Sequence, residues 1–345
     1  MPEHGGNLSE ATVRFGEPEG GWIDLSTGIN PIPYPVPPPR TLDWQRLPEA
    51  DELENTAAKA FGAPAALALP GSQAAISLLP ALRPAGRVAI PAPEYAEHAA
   101  AWHHWHHRID RIAPEVIAAG PPDHLPWQAL ILSHPNNPTG RRYPTAILHA
   151  WRAALAAQGG WLVIDEAFCD AEPEHSLATE AGTEGLLILR SLGKFYGLAG
   201  ARVGFLLAPA TVRQRLAALL GPWPIAGPSR AAAQQALRDE SWRQRQQAQL
   251  RAATQRLEAL LATAGLPTAG GTPLFRWVPC RAPRQEQARL ARAGIWVRAF
   301  DNPSGLRFGL PGDEPTWQRL ATALESRRQA PRDPRHGAAT GRLER

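Results

Sequence analysis

Four side chains stand out by type and setting: Lys194 in "SLGKFYGLAGARVGF" (191–205), Asp165 in "WLVIDEAF" (161–168), Asn137 in "HPNNPTG" (134–140) and Ser72 in "PGSQAA" (70–75). Basic residues in this chain are almost all arginine; the two lysines are Lys59 and Lys194. Arginine stays protonated, whereas an amine desolvated among apolar neighbours releases its proton near neutral pH and becomes nucleophilic. The small and apolar surroundings of Lys194 therefore point to an amine that forms an imine. Lys59, within "DELENTAAKAFG", reads as a surface residue. Asp165 closes an apolar run and is a candidate acid partner for a ring nitrogen. Asn137 offers an amide hydrogen bond, and Ser72 opens a helix whose first N–H groups favour an anion.

These residues need elements to position them. Apolar runs at 87–90, 129–133, 161–165, 186–190 and 203–208 are separated in several places by helical segments. Continuous apolar strands between helices predict a mostly parallel sheet covered on both faces. Ligands in such sheets sit beyond the carboxyl ends of the strands. Asn137, Asp165 and Lys194 each follow a different strand end, so all three are expected in one region. A helix over 51–62 closes at Gly62, a second covers 71–82, and a long one spans about 228–264. Strands at 274–279, 295–300 and 306–311, with helices near 284–293 and 314–328, predict a small α+β domain. The Gly- and Pro-rich residues 1–40 read as an extended N-terminal arm. The expected organisation is arm 1–40, large domain 41–228, interdomain helix and small domain 229–326, and a disordered basic tail 327–345.

The 345 residues are 44% apolar, enough for a sizeable core. No apolar run reaches 18 residues and the first residues lack the basic and apolar pattern of a secretory signal, so no membrane is expected. Two distant cysteines, Cys169 and Cys280, suit a reducing cytoplasm. The pI near 9.5 would suggest nucleic acid. However, residues 327–345 hold six arginines against Asp333 and Glu344, a net +4 that equals that of the whole chain. The body is thus near neutral, and no nucleic acid is expected. "AWHHWHHR" (101–108) places His103 and His107 four apart on one helical face, but no Cys or carboxylate sits close by to complete a set, and no metal is expected.

An imine-forming lysine with an aspartate on a neighbouring strand points to pyridoxal 5'-phosphate. Lys194 would carry it, and Asp165 would keep its pyridine nitrogen protonated. Gly71, Ser72 and Gln73 at a helix start, with the Ser191 hydroxyl and the Arg202 guanidinium, are candidates for the phosphate. Tyr95, in "PAPEYAEH", is placed to stack on the ring, and Asn137 to hydrogen-bond its hydroxyl.

With these residues in hand, "HPNNPTG", "IDEAF" and "SLGKFYGLAGARVGF" resemble, in order, the Asn, Asp and Lys/Arg motifs of the fold-type I pyridoxal-phosphate enzymes, the aspartate aminotransferase superfamily. The resemblance runs to about Ser326. It implies the aspartate aminotransferase-like α/β fold, a mostly parallel large domain with a smaller α+β domain, and a homodimer. Within the superfamily, "HGGN" (4–7), "DLSTGINP" (24–31), "DEAF" and "SLGKFYGLAG" resemble the threonine-phosphate decarboxylases of cobalamin synthesis, relatives of histidinol-phosphate aminotransferase. That likeness implies L-threonine O-3-phosphate as substrate, near His4, Gly5, Gly28, Asn137, Arg298 and Arg307. Arg307 would take the carboxylate and Arg298 would bind nearby; arginine forks suit a substrate with two anions.

Three departures follow. Phe168 stands where many relatives have a donating Tyr. Gly28 replaces an Asn found in some. Leu47-Pro48-Glu49 replaces a Tyr-Pro-Asp motif whose Tyr crosses the dimer interface. An aminotransferase acting on histidinol phosphate or another amino acid would share every cofactor residue. Which bond at Cα stands perpendicular to the ring selects decarboxylation or amino transfer, and residue types alone leave that choice open.

Overall fold

The computed structural model describes residues 5–329, and the side chains of 5–326. Its strands are β1 (Ile23–Leu25), β2 (Leu67–Leu69), β3 (Arg87–Pro91), β4 (Arg108–Ile112), β5 (Ala129–Ser133), β6 (Trp161–Asp165), β7 (Leu186–Ser191), β8 (Gly204–Leu207), β9 (Gly270–Thr272), β10 (Phe275–Pro279), β11 (Ile295–Asp301) and β12 (Ser304–Gly309). Seven form one sheet in the order β2-β8-β7-β6-β5-β3-β4. Neighbours from β4 through β7 are parallel, while β8 runs antiparallel to β7 and to β2. Every residue of β5 and β6 is buried, which is why both read as unbroken apolar runs. Successive side chains enter opposite cores: Leu130 and Leu132 join one, Ala129 and Ile131 the other.

β1, β2, β4 and β9 are absent from the expected strands. β4, "RIDRI", is a charged edge strand without an apolar run. Its start at Arg108 also corrects the expected helical face of His103 and His107. The helix Ala96–His104 ends first, and His106 takes a positive φ of 63°. His107 instead turns inward against Trp102, with its Nε2 3.1 Å from the Pro80 carbonyl.

The second sheet runs β1-β11-β12-β10-β9. Residues 1–40 are therefore not simply extended. Leu8–Phe15 is a helix because the Asn7 side chain accepts from Glu10 N at 3.1 Å, a cap formed at "NLSE". β1 then adds in parallel to β11. The expected single long helix is two, Gly227–Arg238 and Glu240–Thr263. Asp239 separates them by accepting from Trp242 N at 2.9 Å, the preferred N-cap arrangement. The last helix continues to Gln329, three residues beyond Ser326. Residues 1–4, and 330–345 with their expected disorder, lie outside the described residues. Among the described residues no helix is long and apolar enough to cross a membrane.

Candidate active site

The parallel strands β5, β6 and β7 end on one side of the sheet, in a register that sets Ser133 beside Asp165 and Asp165 beside Leu189. A cleft over these ends is lined by Ser72, Gln73, Tyr95, Ser133, Asn137, Asp165, Phe168, Ser191, Lys194 and Arg202. The three motifs thus meet where the strand pattern predicts.

Lys194 follows β7 by three residues. Its carbonyl accepts from Asn30 N at 2.9 Å and Gly197 N at 3.2 Å, so the arm and the next turn fix its backbone. Its amine lies 5.6 Å from the Phe168 ring centre. Burial, then the nearby Arg307, lower its pKa to about 8, with Asp165 opposing. Asp165 is 5% exposed; Oδ1 accepts from Ala167 N at 3.0 Å and Oδ2 lies 3.1 Å from His98 Nε2. Its carboxylate is therefore oriented from behind by two partners.

Tyr95 donates to Gln73 Oε1 at 3.4 Å, and burial pushes its pKa up to about 12, so it stays protonated. Ser72 and Gln73 are the first residues of the helix Ser72–Leu78, where backbone N–H groups have no partner within the helix. Arg202, itself exposed, lies against Gly71: a Cβ there would sit 2.6 Å from the guanidinium, and Gly71 also has φ of 80°. Hydroxyls of Ser72 and Ser191, a guanidinium and helix-start N–H groups make a donor set that fits a phosphate ester. The acid Asp165 and the amine Lys194 fit the remaining groups of a pyridine aldehyde.

A second cleft shares Tyr95 and Asn137 with the first and is also lined by Gly5, Glu94, Arg298 and Arg307. Arg307, 7% exposed, donates to Asn137 Oδ1 at 2.6 Å and to the Ser26 carbonyl at 2.7 Å. Among the described residues its Nε has no partner. Arg298 faces Arg307 directly across β11 and β12. Burial, then Arg298, lower the Arg307 pKa to about 10. Like charges opposite each other on paired strands are unfavourable. An anion between them would relieve that repulsion.

Of the other expected residues, Gly5 sits close to Ser26, and His4 lies outside the described residues. Gly28 lines neither cleft. A Cβ on it would lie 2.7 Å from the Phe168 ring, which packs edge-on to Phe275 at 5.1 Å. The two departures at 28 and 168 are thus one packing arrangement. Gly28→Ala should destabilise the protein by about 1–3 kcal/mol, measured by denaturant unfolding. Trimming the ring with Phe168→Leu should remove most of that cost.

Motif spacing did not reveal three neighbours of the site. His98 stands one helical turn after Tyr95, and that i, i+3 placement behind a strand end is the signal that was available. Ser133 is the last residue of β5. Arg190, the residue before Ser191, donates to Glu166 Oε2 at 2.7 Å and to Asp170 Oδ1 at 2.5 Å, and stacks 4.5 Å from Phe61. This buried network supports the β6 and β7 ends from below.

Residues 43–324 match the family model described as aminotransferase class I and II. The chain is 47% identical to threonine-phosphate decarboxylase of Pseudomonas aeruginosa, covering 94% of this chain and 97% of that protein. It is 40% identical to threonine-phosphate decarboxylase of a Sinorhizobium species, covering 93% and 97%. Histidinol-phosphate aminotransferase from Sinorhizobium meliloti, solved with pyridoxal-5'-phosphate, superposes with a TM-score of 0.80 at 20% identity, over 95% of this chain and 96% of that one. At that identity the superposition speaks for the fold, which is aspartate aminotransferase-like as expected.

Proposed function

This chain belongs to the class I and II aminotransferase family, and from that premise we propose that it decarboxylates L-threonine O-3-phosphate, releasing CO2 and (R)-1-amino-2-propanol O-2-phosphate for cobalamin synthesis. It is a pyridoxal-phosphate enzyme. The observation that carries the substrate reading is the Arg298–Arg307 pair in the cleft that adjoins the Lys194 cleft through Tyr95 and Asn137, two cations for a substrate with two anions.

Bound pyridoxal 5'-phosphate supplies a protonated ring that withdraws electrons from the substrate Cα. Lys194 Nζ, with its lowered pKa, is available as the attaching amine and afterwards as the proton donor to Cα. Asp165, aligned by His98 and Ala167 N, would hold the proton on the ring nitrogen. Gly71, through its backbone, with Ser72, Gln73, Ser191 and Arg202, would hold the phosphate. Tyr95 would cover the ring, and Asn137 would bond its hydroxyl in place of a donor that Phe168 lacks. Arg307 takes the substrate carboxylate, Arg298 the second anion, and the Gly5 backbone shapes the approach. Holding both anions would fix the orientation of the substrate at the site, and orientation is what would select CO2 loss over amino transfer.

A homodimer fits the exposed apolar residues Leu42, Trp44 (67%) and Leu47 (63%), which a second copy would cover. Two free cysteines, one buried, suit the cytoplasm.

Asp165→Asn cannot hold the ring proton. Turnover should fall by about 10²–10³-fold, read as CO2 release, with bound cofactor still visible by absorbance. The reading itself is tested by supplying L-threonine O-3-phosphate and measuring CO2, against histidinol phosphate with 2-oxoglutarate and measuring amino transfer. CO2 from the first and little transfer in the second is expected; the reverse would make the protein an aminotransferase.

A further inference from the structure

Between the two clefts lies a carboxylate that the proposed chemistry does not use. Glu94 precedes Tyr95 in the loop after β3 and lines the arginine-bearing cleft. Its Oε1 accepts from Tyr95 N at 2.7 Å and from Ser133 Oγ at 2.5 Å. Its Oε2 accepts from Ser133 N at 2.8 Å and from Asn136 Nδ2 at 3.3 Å. Four donors on one carboxylate leave it little capacity for a ligand, and a negative group on this wall would repel an anionic substrate. Its chemistry is therefore directed inward.

We propose that Glu94 is a positioning residue that fixes Tyr95 and Asn137 relative to the cofactor ring. One side chain ties the backbone of Tyr95 to the end of β5 and to the turn that carries Asn137. Asn136 is held further by donating to the Pro93 carbonyl at 3.0 Å, while its Oδ1 accepts from Thr139 N and Oγ1 at 3.1 and 2.6 Å. Asn137 in turn accepts from Arg307 at 2.6 Å. The linkage thus runs from Glu94 through Asn136 and Asn137 to the arginine proposed for the substrate carboxylate. Glu94→Gln keeps the shape but turns an NH2 toward either Tyr95 N and Ser133 Oγ or Ser133 N and Asn136 Nδ2, so at least one acceptor position is lost.

This inference rests on the cofactor assignment above, and its test separates the two. Holoprotein carrying Glu94→Gln is compared with the parent by the circular dichroism induced in the cofactor absorption band, which reports ring orientation without substrate. The induced signal should fall to about half or less. In turnover, kcat for CO2 release should fall at least about tenfold while KM for threonine phosphate stays within about threefold, the pattern of misplaced reacting groups. Glu94→Asp should recover part of both signals. If Glu94→Gln does not fold, Ser133→Ala removes one donor while keeping the charge, and should lower the induced signal and kcat by about threefold. Induced signal and kcat unchanged in whichever variant folds would overturn the proposal. A parent that releases no CO2 would instead overturn the substrate reading, and the dichroism comparison would still decide the role of Glu94.

Discussion

Replacing Lys194 with alanine should lower CO2 release by about 10⁴-fold or more in a protein that still folds. The amine combines two tasks that no neighbouring group can assume. It is the one lysine in a cleft whose other cation is Arg202, which remains protonated. Arginine at 194 should fail as completely as alanine. The same side chain makes the apoprotein's stability depend on pH. The folded-state pKa is about 8 against an ordinary 10.5. Below pH 8 both folded and unfolded chains hold the proton, and the folded form carries the full cost of a buried ammonium. Between pH 8 and 10.5 the unfolded chain retains a proton that the folded chain has released, so stability rises with pH. Lys194→Met should therefore stabilise apoprotein near pH 7 by about 3 kcal/mol. That advantage should vanish above about pH 10.5. Urea unfolding of the two apoproteins across this range measures the difference. A constant gap would mean that the amine is not desolvated.

Arg307→Leu should lower kcat/KM for threonine phosphate by about 10²–10³-fold, with the cofactor spectrum retained. The guanidinium is buried, fixed through Asn137 and Ser26, and among the described residues leaves Nε without a partner. Its loss removes the proposed carboxylate anchor and also the repulsion against Arg298. Substrate affinity should therefore collapse while protein stability holds or improves. Arg307→Lys keeps the charge but cannot form the two-pronged contact, and should recover little. Steady-state kinetics with thermal melting distinguishes this from general damage, in which stability and activity would fall together.

Much of the scaffold was legible because it is buried on both faces. β5 and β6 coincide with the apolar runs 129–133 and 161–165, since neither contains a position that faces water. β4 was not legible, because an edge strand with alternating charges carries no such run. The cofactor side of the site could be read because each motif follows a strand end, and parallel order brings those ends together. The Arg298–Arg307 apposition depends on the register of a hairpin, and the roles of His98 and Glu94 depend on contacts across 67 and 39 residues. Local patterns do not encode such contacts. Gly28 and Phe168 looked like two separate departures until packing showed that one ring fills the space a side chain at 28 would need.

The most direct measurement is borohydride reduction of protein loaded with pyridoxal 5'-phosphate, followed by peptide mass analysis. A stable pyridoxyl group on the peptide containing Lys194 is the expected result. A label confined to Lys59 or the N-terminal amine, or protein that takes up no cofactor, would contradict the account.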